Sequence, residues 1–233
     1  MNTRVAVVTG ANRGLGLEIV RQLAARDLRV VLASRSVERG EAAAAGLGDV
    51  ADRVTVAPLD VADTTSVTDF VHWLHRHFRR CDVLVNNAAV AIDGGQDAST
   101  ANLDVVRRTL ETNLLGAWLL TQAVVPAMRA RRYGRIVNLS SSVGRLTTMV
   151  SGIPAYRVSK TALNALTRIF ADELAPDGIL VNACCPGWVR TDMGGPAATV
   201  PVAEASDTPT WLATLPPDGP TGGLYRDRRL LAW

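Results

Sequence analysis

The feature that most limits what this chain can fold into is its opening. The run Val5–Val8 passes at once into Thr9-Gly10-Ala11-Asn12-Arg13-Gly14-Leu15-Gly16 and then into an amphipathic stretch over Leu15–Ala25. An unbroken β-branched run is a strand buried on both faces, which a parallel sheet provides and a half-solvated antiparallel sheet does not. The alternation repeats down the chain. Apolar runs at Arg29–Ala33, Val54–Ala57, Val83–Val85, Ile136–Leu139 and Ile179–Ala183 are separated by helical stretches over Val37–Leu47, Val67–Phe78, Val105–Met128 and Ala155–Leu174. Right-handed crossovers between such strands lay helices on both faces of one doubly wound parallel sheet, so the expected class is α/β. No linker or repeat interrupts the pattern, and residues 1–233 are expected to form one domain. Past the last run the pattern lapses: Gly194–Pro220 is rich in Pro, Gly, Ala and Thr. It is expected to be a loop with one short helix, residues about 190–215 serving as a lid over a substrate.

Composition excludes several functions. With 233 residues, 48% hydrophobic and 20% charged, the chain can build a core without covalent staples. A net charge of +3 is too mild and dispersed for a nucleic-acid surface, and no apolar run approaches the ~18 residues of a membrane helix. The first residues lead straight into a strand, so no signal peptide is expected and the location is expected to be cytoplasmic. Cys81, Cys184 and Cys185 make no disulfide framework. His72, His75 and His77 lie on one helix without a carboxylate or cysteine to complete a ligand set, so they read as a surface face and no metal is expected.

Glycines in a first strand-to-helix turn let the backbone approach a diphosphate, which rests on the helix N-terminus. The spacing here is Gly-x-x-x-Gly-x-Gly, which makes Gly10, Asn12, Arg13, Gly14, Leu15 and Gly16 candidate cofactor contacts. The end of the second strand should meet the adenosine ribose. A carboxylate there suits a free 2′-hydroxyl and an arginine a 2′-phosphate. The chain has Ser34-Arg35 with no acid, and Arg13 as a second guanidinium, so NADP(H) is favoured over NAD(H). Asp60 and Val61 end the third strand, where the carboxylate can accept from the adenine amino group; Asn86, Asn87 and Ala88 end the fourth.

At the other end, Tyr156 and Lys160 stand four residues apart on one helical face. A free phenol, with pKa ~10, is a poor acid–base catalyst at neutral pH, and a neighbouring ammonium is expected to bring it down. All but one of the 25 basic side chains are arginine, and the exception is Lys160. A position that alone demands lysine points to chemistry only a compact ammonium supplies. Ser141 follows the fifth strand, where its hydroxyl would face the crevice at the strand ends.

As a set, Thr9–Gly16, Asn86–Ala88, Asn113, Ser141, Tyr156–Lys160 and Pro186-Gly187-Trp188-Val189-Arg190-Thr191-Asp192-Met193 resemble the short-chain dehydrogenase/reductase family over essentially the full chain, most closely its NADPH-dependent carbonyl reductase branch. The resemblance implies a Rossmann fold with about seven parallel strands. It implies Tyr156 as general acid in ketone or aldehyde reduction, and Lys160 lowering its pKa and holding the nicotinamide ribose. Ser141 would polarise the carbonyl, with Ser140 and Ser142 as alternatives, and Asn113 would hold a relay water. Pro186, Gly187, Val189 and Thr191 would cradle the nicotinamide, Asn87 the adenosine side. Ala89 departs from the glycine usual after Asn-Asn-Ala. The interval before Tyr156 lacks the large insertion of some carbonyl reductases, which leaves the substrate mouth more open. Trp188 and Met193 are candidate substrate walls, and Pro196, Ala197, Ala198, Val200 and Val202 hint at an apolar substrate. An imine or enone reductase, an alcohol dehydrogenase or a non-catalytic NADP(H) sensor on the same fold remain alternatives, as do monomer and homo-oligomer.

Overall fold

The computed structural model describes residues 3–233. The strands are β1 Val5–Thr9, β2 Arg29–Ser34, β3 Val54–Pro58, β4 Val83–Asn86, β5 Gly134–Leu139, β6 Ile179–Cys184, β7 Leu224–Arg226 and β8 Arg229–Leu231. They form one sheet in the order β3-β2-β1-β4-β5-β6-β7-β8. Neighbours pair parallel throughout, except that β8 returns antiparallel to β7, with Leu224 opposite Leu231. The order reverses between β1 and β4, which opens a crevice at the carboxyl ends of the strands.

β1 shows why the apolar runs are continuous. Val5 and Val7 join one buried cluster, Ala6 and Val8 the other. The first cluster is closed by α3 (Thr64–Phe78), α5 (Gly116–Arg131) and α6 (Pro154–Leu174), the second by α1 (Gly14–Ala24) and α8 (Asp207–Ala213). Between β2 and β3 lies α2 (Val37–Ala45), and a short helix, α7 (Val202–Ala205), precedes α8. Among the described residues no helix is long and apolar enough to cross a membrane.

Two expectations are corrected here. The helix expected over Val105–Met128 is α4 (Leu103–Leu110) and α5, joined by the π-helical turn Glu111–Leu115, in which the Gly116 amide donates to the Glu111 carbonyl. The tail carries two short helices, α7 and α8, rather than one. α8 buries Thr208, Thr210, Leu212 and Ala213, and packs on the sheet rather than over the crevice. The part of 190–215 that faces the crevice is Arg190–Gly194 and Thr199. Apolar spacing on a seven-residue helix fixes that outcome, because Leu212 needs the sheet to cover it.

Candidate functional site

A cleft of about 860 Å³ runs along the carboxyl ends of the strands. One half is lined by Gly10, Asn12, Arg13, Gly14, Leu15, Gly16, Ser34, Arg35, Asp60, Val61, Asn87 and Ala88. The other is lined by Ser140, Ser141, Ser142, Tyr156, Lys160, Pro186, Gly187, Trp188, Val189, Thr191 and Met193. Of the residues singled out from the sequence as contacts, Asn86, Asn113 and the apolar tail residues Pro196, Ala197, Ala198, Val200 and Val202 do not line it.

The glycine turn is built for close approach. Gly10 and Gly14 have φ of 61° and 54°, a region that L side chains rarely adopt, and a Cβ on Gly16 would lie 2.8 Å from the Gly10 carbonyl oxygen. α1 begins there, and its N-cap residue Arg13 makes no side-chain capping bond, so the first amides of the helix are left for a ligand. Thr9 and Asn87 hold the turn in place. Thr9 Oγ1 accepts from the Asn87 and Ala88 amides at 3.0 and 2.9 Å, and Asn87 Nδ2 donates to the Thr9 carbonyl at 2.8 Å. Asn86 Nδ2 donates to Asn138 Oδ1 at 2.9 Å and ties β4 to β5. At the outer end, Asp60 Oδ1 accepts from the Ala62 amide at 3.0 Å, which fixes the carboxylate. Arg13 is paired with Asp192 across the mouth at 2.6 Å, both side chains exposed, so the pair is weak and open to displacement. Arg39 joins Arg35 here, from the first turn of α2. The sequence reading missed it, because Arg35 stands before the helix and Arg39 within its first turn, so no helical spacing links them.

At the reactive end Lys160 is buried, and its Nζ donates to the Leu139 carbonyl at 2.7 Å, 5.5 Å from the Tyr156 ring centroid. Burial lowers Lys160 to about 8. Burial first, then the Cys185 thiol and the Asp93 carboxyl, push Tyr156 up to about 12. The expected lowering of Tyr156 by its lysine is not found among the protein's own groups: burial, Cys185 and Asp93 all act to hold the phenol up.

The three serines separate by their partners. Ser140 is buried, its Oγ within hydrogen-bond distance of Asn164 Oδ1 and the Lys160 carbonyl. Ser141 is partly exposed, and among the described residues its hydroxyl accepts only from the nearby Val143 amide at 3.3 Å. Asn113 is 1% exposed, and its amide is spent within the protein. Oδ1 accepts from the Val90 amide at 2.8 Å, and Nδ2 donates to the Val90 carbonyl at 2.9 Å and to Ser159 Oγ at 3.1 Å. The side chain of Asn113 thus pins the cleft wall at Val90, which leaves its backbone as the part that could meet a relay water.

One residue near the reactive end had no sequence signal. Asp93 is fully buried, and its Oδ2 accepts from the Tyr156 amide at 3.1 Å while its Oδ1 has no partner among the described residues. It caps α6 from 63 positions away, where the helix's own N-cap, Ile153, is left-handed at φ 44° and has no capping side chain. On the far wall Trp188 is 53% exposed and donates from Nε1 to the Gly194 carbonyl at 2.8 Å. Met193 beside it is equally exposed.

A family model described as short chain dehydrogenase matches residues 4–199, and the chain belongs to that family. Carbonyl reductase (NADPH) 1 of Sus scrofa is 35% identical over 278 residues, an alignment covering 100% of this chain and 95% of that protein. The Homo sapiens protein of the same name is 34% identical over 275 residues, with 98% of each covered. Among known structures, NADPH-bound carbonyl reductase from chicken fatty liver superposes with a TM-score of 0.89 at 28% identity, covering 100% of both chains. Salutaridine reductase from Papaver somniferum gives 0.85 at 27% identity, over 95% of this chain and 99% of that one. The alignment to the Sus scrofa protein runs longer than the 233 residues of this chain, so that relative carries insertions which this one lacks.

Proposed function

We propose that this enzyme reduces ketones or aldehydes to alcohols with NADPH, through Tyr156, Lys160 and Ser141. The observation that carries the proposal is the meeting, in one cleft, of an uncapped helix behind a glycine turn with a buried Tyr156–Lys160 pair. The cradle fits a dinucleotide: Gly10 and Gly14 take the left-handed conformation that turns the backbone tightly at the start of α1, and the first amides of that helix are free to bind a diphosphate. Arg13, Arg35 and Arg39 favour the 2′-phosphorylated form, since no carboxylate stands at the end of β2 to take a ribose hydroxyl. Relatives named as NADPH carbonyl reductases support the same choice.

When bound, the reduced nicotinamide supplies the hydride to the carbonyl carbon. The protein's part is the oxygen. The Tyr156 and Ser141 hydroxyls donate to the carbonyl oxygen, so donors are already in place where negative charge develops. Tyr156 then yields its proton, completing the alcohol. A phenol held up at about 12 stays protonated through the neutral range, the state a proton donor needs. Lys160, tied to Leu139, is positioned to donate to ribose hydroxyls and to steady the phenolate. Ser141 is preferred to Ser140 because the Ser140 hydroxyl is engaged with Asn164. Asn113, Ser159 and Val90 hold the wall behind them.

Titration with NADPH and NADH, then a ketone panel followed by cofactor absorbance, tests the proposal. The expected result is preference for NADPH and turnover of a ketone, with Tyr156→Phe retaining cofactor binding and losing about 10²–10⁴-fold in kcat. NADPH binding with no carbonyl reduced, or full activity in Tyr156→Phe, would sink it.

A further inference from the structure

We propose that Arg226 makes the cleft selective for carbonyl compounds that also carry a carboxylate. Its guanidinium holds the carboxylate while Tyr156 and Ser141 hold the carbonyl oxygen. The inference rests on the reductase reading of the cleft and names its substrate class.

Charge in the cleft is lopsided. Lys160 and five arginines line the cleft, against two carboxylates, Asp60 and Asp192. Arg13, Arg35 and Arg39 gather at the end assigned to the 2′-phosphate. Arg190 is exposed and held to its own loop, its Nε donating to the Ala198 carbonyl at 3.1 Å. Arg226 has only a long Nε ion pair, at 3.5 Å, with its chain neighbour Asp227, and its two terminal nitrogens are uncommitted among the described residues. The Asp227 carboxylate is itself 74% exposed. A half-buried guanidinium with its fork free, in a cleft already committed to catalysis, presents the geometry that matches a carboxylate with two parallel bonds.

Its place in the sheet gives the reach. Leu139 pairs with Cys184, and Cys184 with Tyr225, so Ser140, Cys185 and Arg226 leave the sheet side by side. Two strand spacings, about 10 Å, separate the outer two. The Arg226 side chain lies against the segment Pro186–Gly187 that lines the site: a Cβ on Gly187 would sit 3.3 Å from Nη2 and 3.5 Å from Cζ. Gly187 has φ of 83° and no side chain, so backbone and guanidinium share the wall. Val143, Ile153, Trp188 and Met193 also line the cleft. The spacer between carbonyl and carboxylate is therefore hydrocarbon or aryl.

The test measures NADPH-dependent reduction of levulinate and of para-acetylbenzoate, each against its methyl ester, by the native enzyme, Arg226→Gln and Arg226→Lys. The native enzyme is expected to prefer the acids. Arg226→Gln is expected to raise KM for the acids about 10- to 100-fold, leaving kcat and the ester KM within about twofold. Arg226→Lys should recover part of the loss. A native preference for the esters, or equal losses on acid and ester, overturns the inference and leaves the reductase reading standing. A weaker NADPH affinity in Arg226→Gln, read by cofactor fluorescence, also overturns it, since Arg226 would then be a cofactor contact. If NADPH binds and neither acids nor esters nor other ketones are reduced, the reductase reading fails and this inference with it.

Discussion

Tyr156 and Lys160 stand one helical turn apart, and burial presses both toward neutrality, the phenol to about 12 and the ammonium to about 8. The consequences have opposite signs. Between about 8 and the ordinary 10.5, the unfolded lysine holds a proton that the folded one has lost, so this group makes stability rise with pH across that window. Between the ordinary 10.0 and about 12 the folded tyrosine keeps a proton that the unfolded one has lost, so stability falls there. For catalysis the lysine limb matters first. Reduction should decline as pH rises through about 8 and Lys160 loses its charge; a profile of kcat/KM flat to pH ~10, the ordinary range of a lysine, would show that the ammonium is not required. Asp93 adds a second handle, because its carboxyl is one of the groups holding Tyr156 up. Asp93→Asn can still accept from the Tyr156 amide but carries no charge, so the alkaline limb of alcohol oxidation should move to lower pH. A limb that stays in place would reduce Asp93 to a cap. Asp93→Ala removes the cap as well and should cost about 1–2 kcal/mol in denaturant melts.

Among the elements, what could be read from the sequence divides by how local its cause is. The first six strands follow from apolar runs that must be covered on both faces, and each is found within two residues of its expected bounds. The Tyr156–Lys160 pair and the glycine turn are equally local, which is why they could be read directly. β7 and β8 are three residues each, and they exist because β6 offers an edge, as no periodicity can announce. The π-helical turn leaves its residues in ordinary helical conformation and only shifts the hydrogen-bond register, so Asn113 looked like a mid-helix residue. Asp93 is invisible for the same reason, its partner being remote in sequence. Arg135, at the start of β5, is another hidden tie. It is fully buried, with Nε donating to the Leu215 carbonyl at 2.9 Å and Nη1 to the Gly134 carbonyl at 2.7 Å, and it stacks on the Tyr133 ring. This bond joins the end of α8 to the sheet, away from the strand ends that form the cleft. Arg135→Met keeps the bulk and leaves those carbonyls unpaired, so it should lose about 2–4 kcal/mol of stability with kcat unchanged. A neutral urea midpoint would mean that burying the cation costs as much as its bonds return.

For the molecule as a whole, a net charge of only +3 conceals a strongly uneven distribution. Six cationic side chains line one cleft with two carboxylates, and one of those carboxylates, Asp192, already engages Arg13. Walls of low dielectric focus such a field along the crevice, which raises the encounter rate for anions and does little for neutral ligands. NADPH carries a 2′-phosphate that NADH lacks, so it should draw more from this field. Raising ionic strength from about 0.01 M to about 0.15 M shortens the screening length from ~30 to ~8 Å, enough to uncouple the mouth arginines from an approaching ligand. The dissociation constant of NADPH should therefore rise about three- to tenfold more than that of NADH over this range, chiefly through the association rate. Removing Arg39 and Arg35 together should erase the difference, because both are exposed at the rim and shape the field without supporting the fold. Equal salt slopes for the two cofactors would mean that 2′-phosphate recognition is made by short contacts inside the cleft, with Ser34 and the glycine turn as its seat.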